Sequence, residues 1–121
     1  MLEYMRYFCD IQCVQKGNVI IMVKHVILWK LDENKTEAEK EEIKKNMKRE
    51  LEGLVGKVPG LINMQININP LPSSNVDVSL DSTMESEEAL KAYATHPAHV
   101  AVAHTYVRPY TVSRTCIDYE E

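Results

Sequence analysis

A strict alternation of apolar and polar residues after Leu61 is the feature that most constrains the fold. The residues on the two sides of the alternation are Ile62, Met64, Ile66 and Ile68 against Asn63, Gln65, Asn67 and Asn69. Successive side chains of a strand point to opposite faces, so this period of two predicts a β-strand over residues 61–69. A sheet that contains this strand has one apolar face to bury.

Three further segments are also typical of strands. Residues 23–31 (VKHVILWKL) are rich in β-branched and aromatic side chains, residues 76–84 alternate again, and residues 110–119 close the chain. In the first of these strands, His25 shares a face with Ile27 and Trp29, and the opposite face is also partly apolar. We therefore expect both faces of this strand to be covered.

Two helical regions separate the strands. Thr36 and Glu39 have the spacing of a capping box, and the apolar stripe that follows predicts an amphipathic helix ending near Pro59. The members of this stripe are Ile43, Met47, Leu51, Leu54, Val55 and Val58. Ser86 is the predicted N-cap of a second helix that the His96-Pro97 pair interrupts, and Pro97 then favours a short helix over residues 98–106.

The order of the elements is β-α-β-β-α-(α)-β. This order predicts an α+β, ferredoxin-like fold with a four-stranded antiparallel sheet and helices on one face. The other face of the sheet also needs cover, and a second copy of the chain is the simplest one, so we expect a homodimer.

Composition excludes several classes of protein. The chain has 121 residues and a formal net charge of −4, without a Lys/Arg stripe, so we expect no nucleic-acid partner. No apolar run approaches the roughly 18–20 residues that span a bilayer, so no membrane partner is expected. Three cysteines do not make a disulfide framework, which favours a reducing, cytoplasmic compartment.

The sequence predicts neither a metal site nor a cofactor. The pair Cys9 and Cys13 lacks nearby ligands to complete a zinc site, and Pro97 separates His96 from His99 and His104. The four glycines form no phosphate-binding loop. Residues 1–21 show neither a strand nor a helix pattern, so we expect an accessory extension, with Met22 as a candidate start and residues 22–121 as the domain.

Several motifs resemble one known family. The segments VKHVILWKL at 23–31, KVPGL at 57–61 and SEEALKAYATHPAHVAVA at 86–103 are similar to the stress-responsive A/B barrel domain, or Dabb, family. The closing Cys116-Ile117-Asp118-Tyr119 fits as well. The resemblance covers residues 22–119 and implies a homodimeric α+β barrel, while most members of the family have no assigned reaction.

The resemblance also implies candidate site residues. One plant branch of the family contains a polyketide cyclase that performs a cofactor-independent aldol condensation, and its catalytic tyrosine and histidine match Tyr93 and His99. The first-strand histidine of the family matches His25. The present chain departs from the cyclase because its 69–76 loop is short and its third strand carries no histidine.

The three candidate residues have a consistent chemistry. A helix dipole at Pro97 disfavours a charged His99, which leaves a neutral base, and Tyr93 can polarise a carbonyl group. We therefore expect a small apolar or aromatic ligand and acid–base chemistry of the cyclase or lyase kind. The alternatives are a non-catalytic stress or dimerisation protein with structural histidines, and a cofactor-free oxygenase.

Overall fold

The protein is described here by a computed structural model, which covers residues 21–121. The elements follow the predicted order. They are β1 (Val23–Leu31), α1 (Glu37–Glu52), β2 (Leu61–Asn67), β3 (Val78–Met84), α2 (Glu87–Thr95), α3 (Pro97–Val102), a π-helical turn (Ala103–Val107), a 3-10 turn (Arg108–Tyr110) and β4 (Thr111–Glu120). The expected accessory extension, residues 1–21, lies outside the described residues except for Ile21.

The four strands form one antiparallel sheet in the order β2-β3-β1-β4. The strand β1 is central and pairs with β3 along one edge and with β4 along the other. Its alternate side chains, which face the helices, are all buried: Val23, His25, Ile27, Trp29 and Leu31. The predicted ferredoxin-like fold is therefore confirmed, with the core between this row and the helices.

The start of α1 follows from its capping box. The Thr36 hydroxyl accepts a hydrogen bond from the backbone N–H of Glu39, and the Glu39 carboxylate accepts one from the backbone N–H of Thr36. These two bonds satisfy donors that the first helical turn leaves without partners. The same carboxylate is stabilised in its charged form, because the bonds from Thr36 lower the pKa of Glu39.

The end of α1 differs from the prediction. The helix stops at Glu52 with Gly53 as its C-cap, and Leu54 and Val58 reach the core from the turns that follow. Val55 is exposed, so its assignment to the buried stripe was wrong. Gly60 ends this connection with a positive φ of 86°, and a side chain there would press against Ala89.

Two strand predictions also need correction. A register shift between Leu61 and Asn63 turns Leu61 into the core and leaves Ile62 exposed, opposite to the simple alternation. The third strand begins at Val78 rather than Val76, because Asp77 turns its carboxylate to the end of β1 and accepts a hydrogen bond from the backbone N–H of Leu31 at 2.7 Å.

The region after Pro97 is less regular than a single helix over 98–106. Only residues 97–102 are α-helical, and a π-helical turn follows. The π-helical turn buries Ala103 and Val107 against the sheet side of the core. Within residues 21–121, every helix is too short or too polar to cross a membrane.

The buried stripe of α1 provides a test of the packing. Leu51 is 2% exposed in the core, whereas Leu71 is 72% exposed in a loop. Leu51→Ala is expected to lower the free energy of unfolding by about 2–5 kcal/mol, because it leaves a cavity. Leu71→Ala should change it by less than about 0.5 kcal/mol. Urea denaturation followed by circular dichroism measures both, and equal effects would contradict this packing.

Candidate functional site

The corner between α2 and α3 places Tyr93 beside His99. His96 has an extended backbone, and its Nδ1 accepts a hydrogen bond from the backbone N–H of Ala98 at 3.1 Å, which caps α3. Pro97 then occupies the first helical position, where its missing N–H costs nothing. The chain reverses at this corner, so the rings of Tyr93 and His99 stack with centroids 4.1 Å apart.

The third sequence-predicted residue also contacts Tyr93. His25 projects from the central strand toward the helices, and its ring meets the Tyr93 ring edge-on at 5.9 Å between centroids. The three rings therefore form a row in the order His25, Tyr93, His99. The structure brings together all three residues that the sequence singled out.

Asp118 is a site residue that the sequence reasoning did not single out. Its Oδ1 lies 2.5 Å from His25 Nδ1, across the β1–β4 register in which the two residues are directly paired. A carboxylate at Nδ1 accepts the hydrogen bond of the proton on that nitrogen and fixes the orientation of the imidazole ring. The sequence signal for Asp118 was the placing of polar residues at alternate positions of 114–120. Such a pattern does not show which residue of β1 each of them faces.

The hydrogen bond of His99 also fixes its tautomer. His99 Nδ1 lies 3.3 Å from the carbonyl oxygen of Ala94, which can only accept, so Nδ1 carries the proton. Nε2 then has a free lone pair when the ring is neutral. Burial lowers the pKa of His99, and nearby His25, Arg108 and Arg114 lower it further, while the hydrogen bond to Ala94 opposes them.

Tyr93 keeps its proton for a related reason. Its side chain is 2% exposed, and this burial raises the pKa of the phenol far above the physiological range. Among the described residues, the hydroxyl of Tyr93 makes no hydrogen bond. A buried hydroxyl without a partner is costly, and a bound molecule that accepts its hydrogen bond would remove this cost.

Two cavities lie along the row of rings. Tyr93 and His99 line a cavity of about 280 Å³, together with Trp29 and other apolar side chains. His25 lines a larger cavity of about 650 Å³ with Asp118. His25 and His99 therefore line different cavities, although both contact Tyr93.

The larger cavity contains a group of potential metal ligands that the sequence did not predict. Donor atoms of His25, Cys116 and Asp118 lie within 4.8 Å of one another. The His25–Asp118 hydrogen bond already uses two of these groups, and burial raises the pKa of the Cys116 thiol, which disfavours the thiolate that metals prefer. Within residues 21–121, the three histidines at 96, 99 and 104 form no such group.

Comparison with known proteins places this architecture among solved structures. The family described as Stress Responsive A/B Barrel Domain matches residues 23–121. A dimeric protein of unknown function with a ferredoxin-like fold, from Bacteroides fragilis, is 32% identical, with a TM-score of 0.78 over 83% of this chain and 96% of its own. A search of curated proteins finds no match.

Two more distant structures share the fold alone. Hydroxynitrile lyase from Passiflora edulis is 12% identical, with a TM-score of 0.65 over 83% of this chain and 93% of its own. A mutant of SnoaB, a cofactor-independent oxygenase from Streptomyces nogalater, is 11% identical, with a TM-score of 0.57 over 81% of this chain and 90% of its own. The same architecture therefore occurs in enzymes with different reactions.

The environment of His99 predicts its titration. Its pKa in the folded protein should fall below the ordinary value of a histidine, because burial and two arginines disfavour the charged ring. A histidine with a lowered folded-state pKa makes the protein less stable as the pH falls below the unfolded-state value of about 6.5. Side-chain NMR titration measures the pKa directly, and a value at or above 6.5 would contradict this environment.

Proposed function

The chain belongs to the stress responsive A/B barrel domain family, and from this membership we propose that it binds a small, partly apolar carbonyl compound beside Tyr93 and His99 and performs cofactor-independent acid–base chemistry on it. The reaction class is the making or breaking of a carbon–carbon bond next to a carbonyl, as in cyclases and lyases. The observation that supports the proposal most is the environment of buried Tyr93. Its hydroxyl makes no hydrogen bond within the described residues, and its ring stacks against His99, whose Nε2 is available.

The proposed roles follow from the two protonation states. The hydroxyl of Tyr93 stays protonated and donates a hydrogen bond to the carbonyl oxygen of the ligand. His99 Nε2 accepts a proton from the adjacent carbon, and the negative charge moves to the oxygen that Tyr93 holds. The resulting enolate attacks a second carbonyl carbon, or forms in reverse when that bond breaks.

His25 has a supporting role in this proposal. Its ring contacts the side of Tyr93 and lines the other cavity, while Asp118 holds its orientation. We therefore treat His25 as a positioning residue for Tyr93 rather than as the base. This role differs from the sequence-based hypothesis, in which His25 is a third candidate catalytic residue.

A homodimer is the proposed assembly. The face of the sheet that points away from the helices exposes Leu28, Ile117 and Tyr119, with Ile117 59% exposed. Structures of the same fold are described as dimeric, among them the one that is 32% identical. A second copy of the chain, packed on this face, would remove the apolar surface from water.

The domain boundary and the location of the protein are also proposals. The family match over residues 23–121 supports a domain at 22–121 with an accessory segment before it. The odd number of cysteines supports the cytoplasm.

A specific observation favours a second candidate, a non-catalytic protein with structural histidines. The bond from His99 Nδ1 to the Ala94 carbonyl oxygen ties the first turn of α3 to the end of α2. This bond alone would stabilise the corner without any chemistry. Loss of His99 would then destabilise the fold and leave no activity to lose.

Exchange of carbon-bound protons separates the two candidates. The wild-type protein in deuterated buffer is expected to accelerate exchange at the methyl group of acetophenone, measured by proton NMR. His99→Ala and Tyr93→Phe should each reduce the acceleration by about 10²–10⁴-fold, because each removes one partner of the proton transfer. His104→Ala is the matched control, since His104 is exposed and should leave the rate unchanged.

Two results would contradict catalysis at this site. Exchange no faster than in buffer would favour the non-catalytic protein, especially if His99→Ala also lowers the melting temperature. An exchange rate that His99→Ala and Tyr93→Phe leave unchanged would place any activity elsewhere.

A further inference from the structure

The cavity beside Tyr93 and His99 has a positively charged lining. Two arginines, Arg108 and Arg114, are the charged side chains among the described residues that line it, and no carboxylate does. The rest of its wall is largely apolar, including Trp29. Both arginines are exposed to solvent, so their positive charge attracts an anionic ligand with a strength that added salt reduces.

The two arginines reach the cavity from neighbouring parts of the chain. Arg114 lies on β4 opposite Trp29 in the register, on the face of the sheet that carries the helices. Arg108 opens the 3-10 turn that leads into the same strand. Both line the same cavity as His99, and both charges disfavour the protonated ring of that histidine.

Neither guanidinium is neutralised within the described part of the chain. The ion pairs there join lysines, Arg49 or His25 to carboxylates, and none includes Arg108 or Arg114. An arginine can bind a carboxylate with two parallel hydrogen bonds, which fixes both charge and orientation.

The larger cavity differs in charge. Glu87, Asp118 and Glu120 line it together with Lys91, and Arg114 is the residue that it shares with the smaller cavity. Its acidic side chains would repel an anion from that side. The charge pattern therefore singles out the smaller cavity, where His99 and Tyr93 lie, as the place for an anionic group.

We propose that the substrate of this site is a small aromatic or keto carboxylate, whose carboxylate group is bound by Arg114 and Arg108 while its carbonyl group faces Tyr93. This inference rests on the proposed function and adds the charge of the substrate to it. The volume of about 280 Å³ limits the ligand to roughly the size of one substituted ring. A singly charged carboxylate fits the apolar wall better than phosphate, which has more charge to desolvate.

The two arginines would also favour the reaction itself. The enolate formed at His99 adds a second negative charge to the ligand, and the positive charges of the two nearby guanidinium groups stabilise it. The carboxylate orients the ligand, so the carbon next to the carbonyl faces Nε2 of His99. Binding and orientation then come from the same pair of side chains.

The test compares two probes that differ in charge and little in shape, benzoate and benzamide. Titration of the full chain at about pH 8 keeps the carboxylate ionised and His99 neutral. The shift of the His99 ring signals in NMR gives each dissociation constant at the proposed site. Benzoate should bind at least about tenfold more tightly than benzamide, an advantage that added salt reduces.

Variants assign the preference to the two arginines. Arg114→Gln and Arg108→Gln should each reduce the benzoate preference several-fold and leave benzamide binding nearly unchanged. Arg114→Lys should retain part of the preference because it keeps the charge. Arg49→Gln is the matched control, since Arg49 pairs with Glu50 on the exposed surface of α1.

Several results would contradict the proposal. Equal binding of both probes, or a preference that survives both arginine variants, would overturn anion recognition while the pocket and its acid–base function stand. Displacement of benzoate by an equal concentration of phosphate would contradict selection of a carboxylate. If neither probe shifts the His99 signals at millimolar concentration, both the anion site and the proposed ligand pocket are wrong.

Discussion

The burial of one face of the central strand is the constraint on which the rest of the structure depends. Every second residue of β1 from Val23 to Leu31 is buried beneath the helices, and the strand is hydrogen-bonded on both edges. A shift by one residue would expose this whole row, so the register of the sheet is strongly determined. The same row carries His25, and the register then places Asp118 against it.

The corner at His96-Pro97 brings the candidate residues Tyr93 and His99 together on this scaffold. Without the break, α2 would continue, and residues six positions apart would not stack as Tyr93 and His99 do. The corner also turns His99 Nδ1 to the Ala94 carbonyl oxygen, which decides which nitrogen keeps a lone pair. The structural hydrogen bond of His99 thus leaves it the tautomer that the proposed function requires.

The sequence predicted the parts of the fold that depend on local chemistry. The capping box at Thr36, the strand period and the break at Pro97 each follow from contacts within a few residues, and the structure has all three. The errors arose where a single residue shifts the pattern. A register irregularity beside Leu61 exchanges its burial with that of Ile62, which no count of alternating residues reveals.

The candidate site was predictable only in part, because some of its residues are far apart in the sequence. Tyr93 and His99 are close in sequence and belong to one motif, so their proximity could be expected. Asp118 and Arg114 meet the site through the pairing of β1 with β4, across more than eighty residues of chain. The division of the site residues between two cavities, with Arg114 lining both, follows from the folded arrangement and from no sequence pattern.

The central claim is that the buried hydroxyl of Tyr93 and Nε2 of His99 face one ligand. A crystal structure of the full chain grown with acetophenone tests it most directly. We expect the carbonyl oxygen of the ligand within hydrogen-bonding distance of the Tyr93 hydroxyl, with its methyl carbon facing His99 Nε2. A structure in which the Tyr93 hydroxyl bonds a protein group, with the ligand elsewhere, would contradict the account.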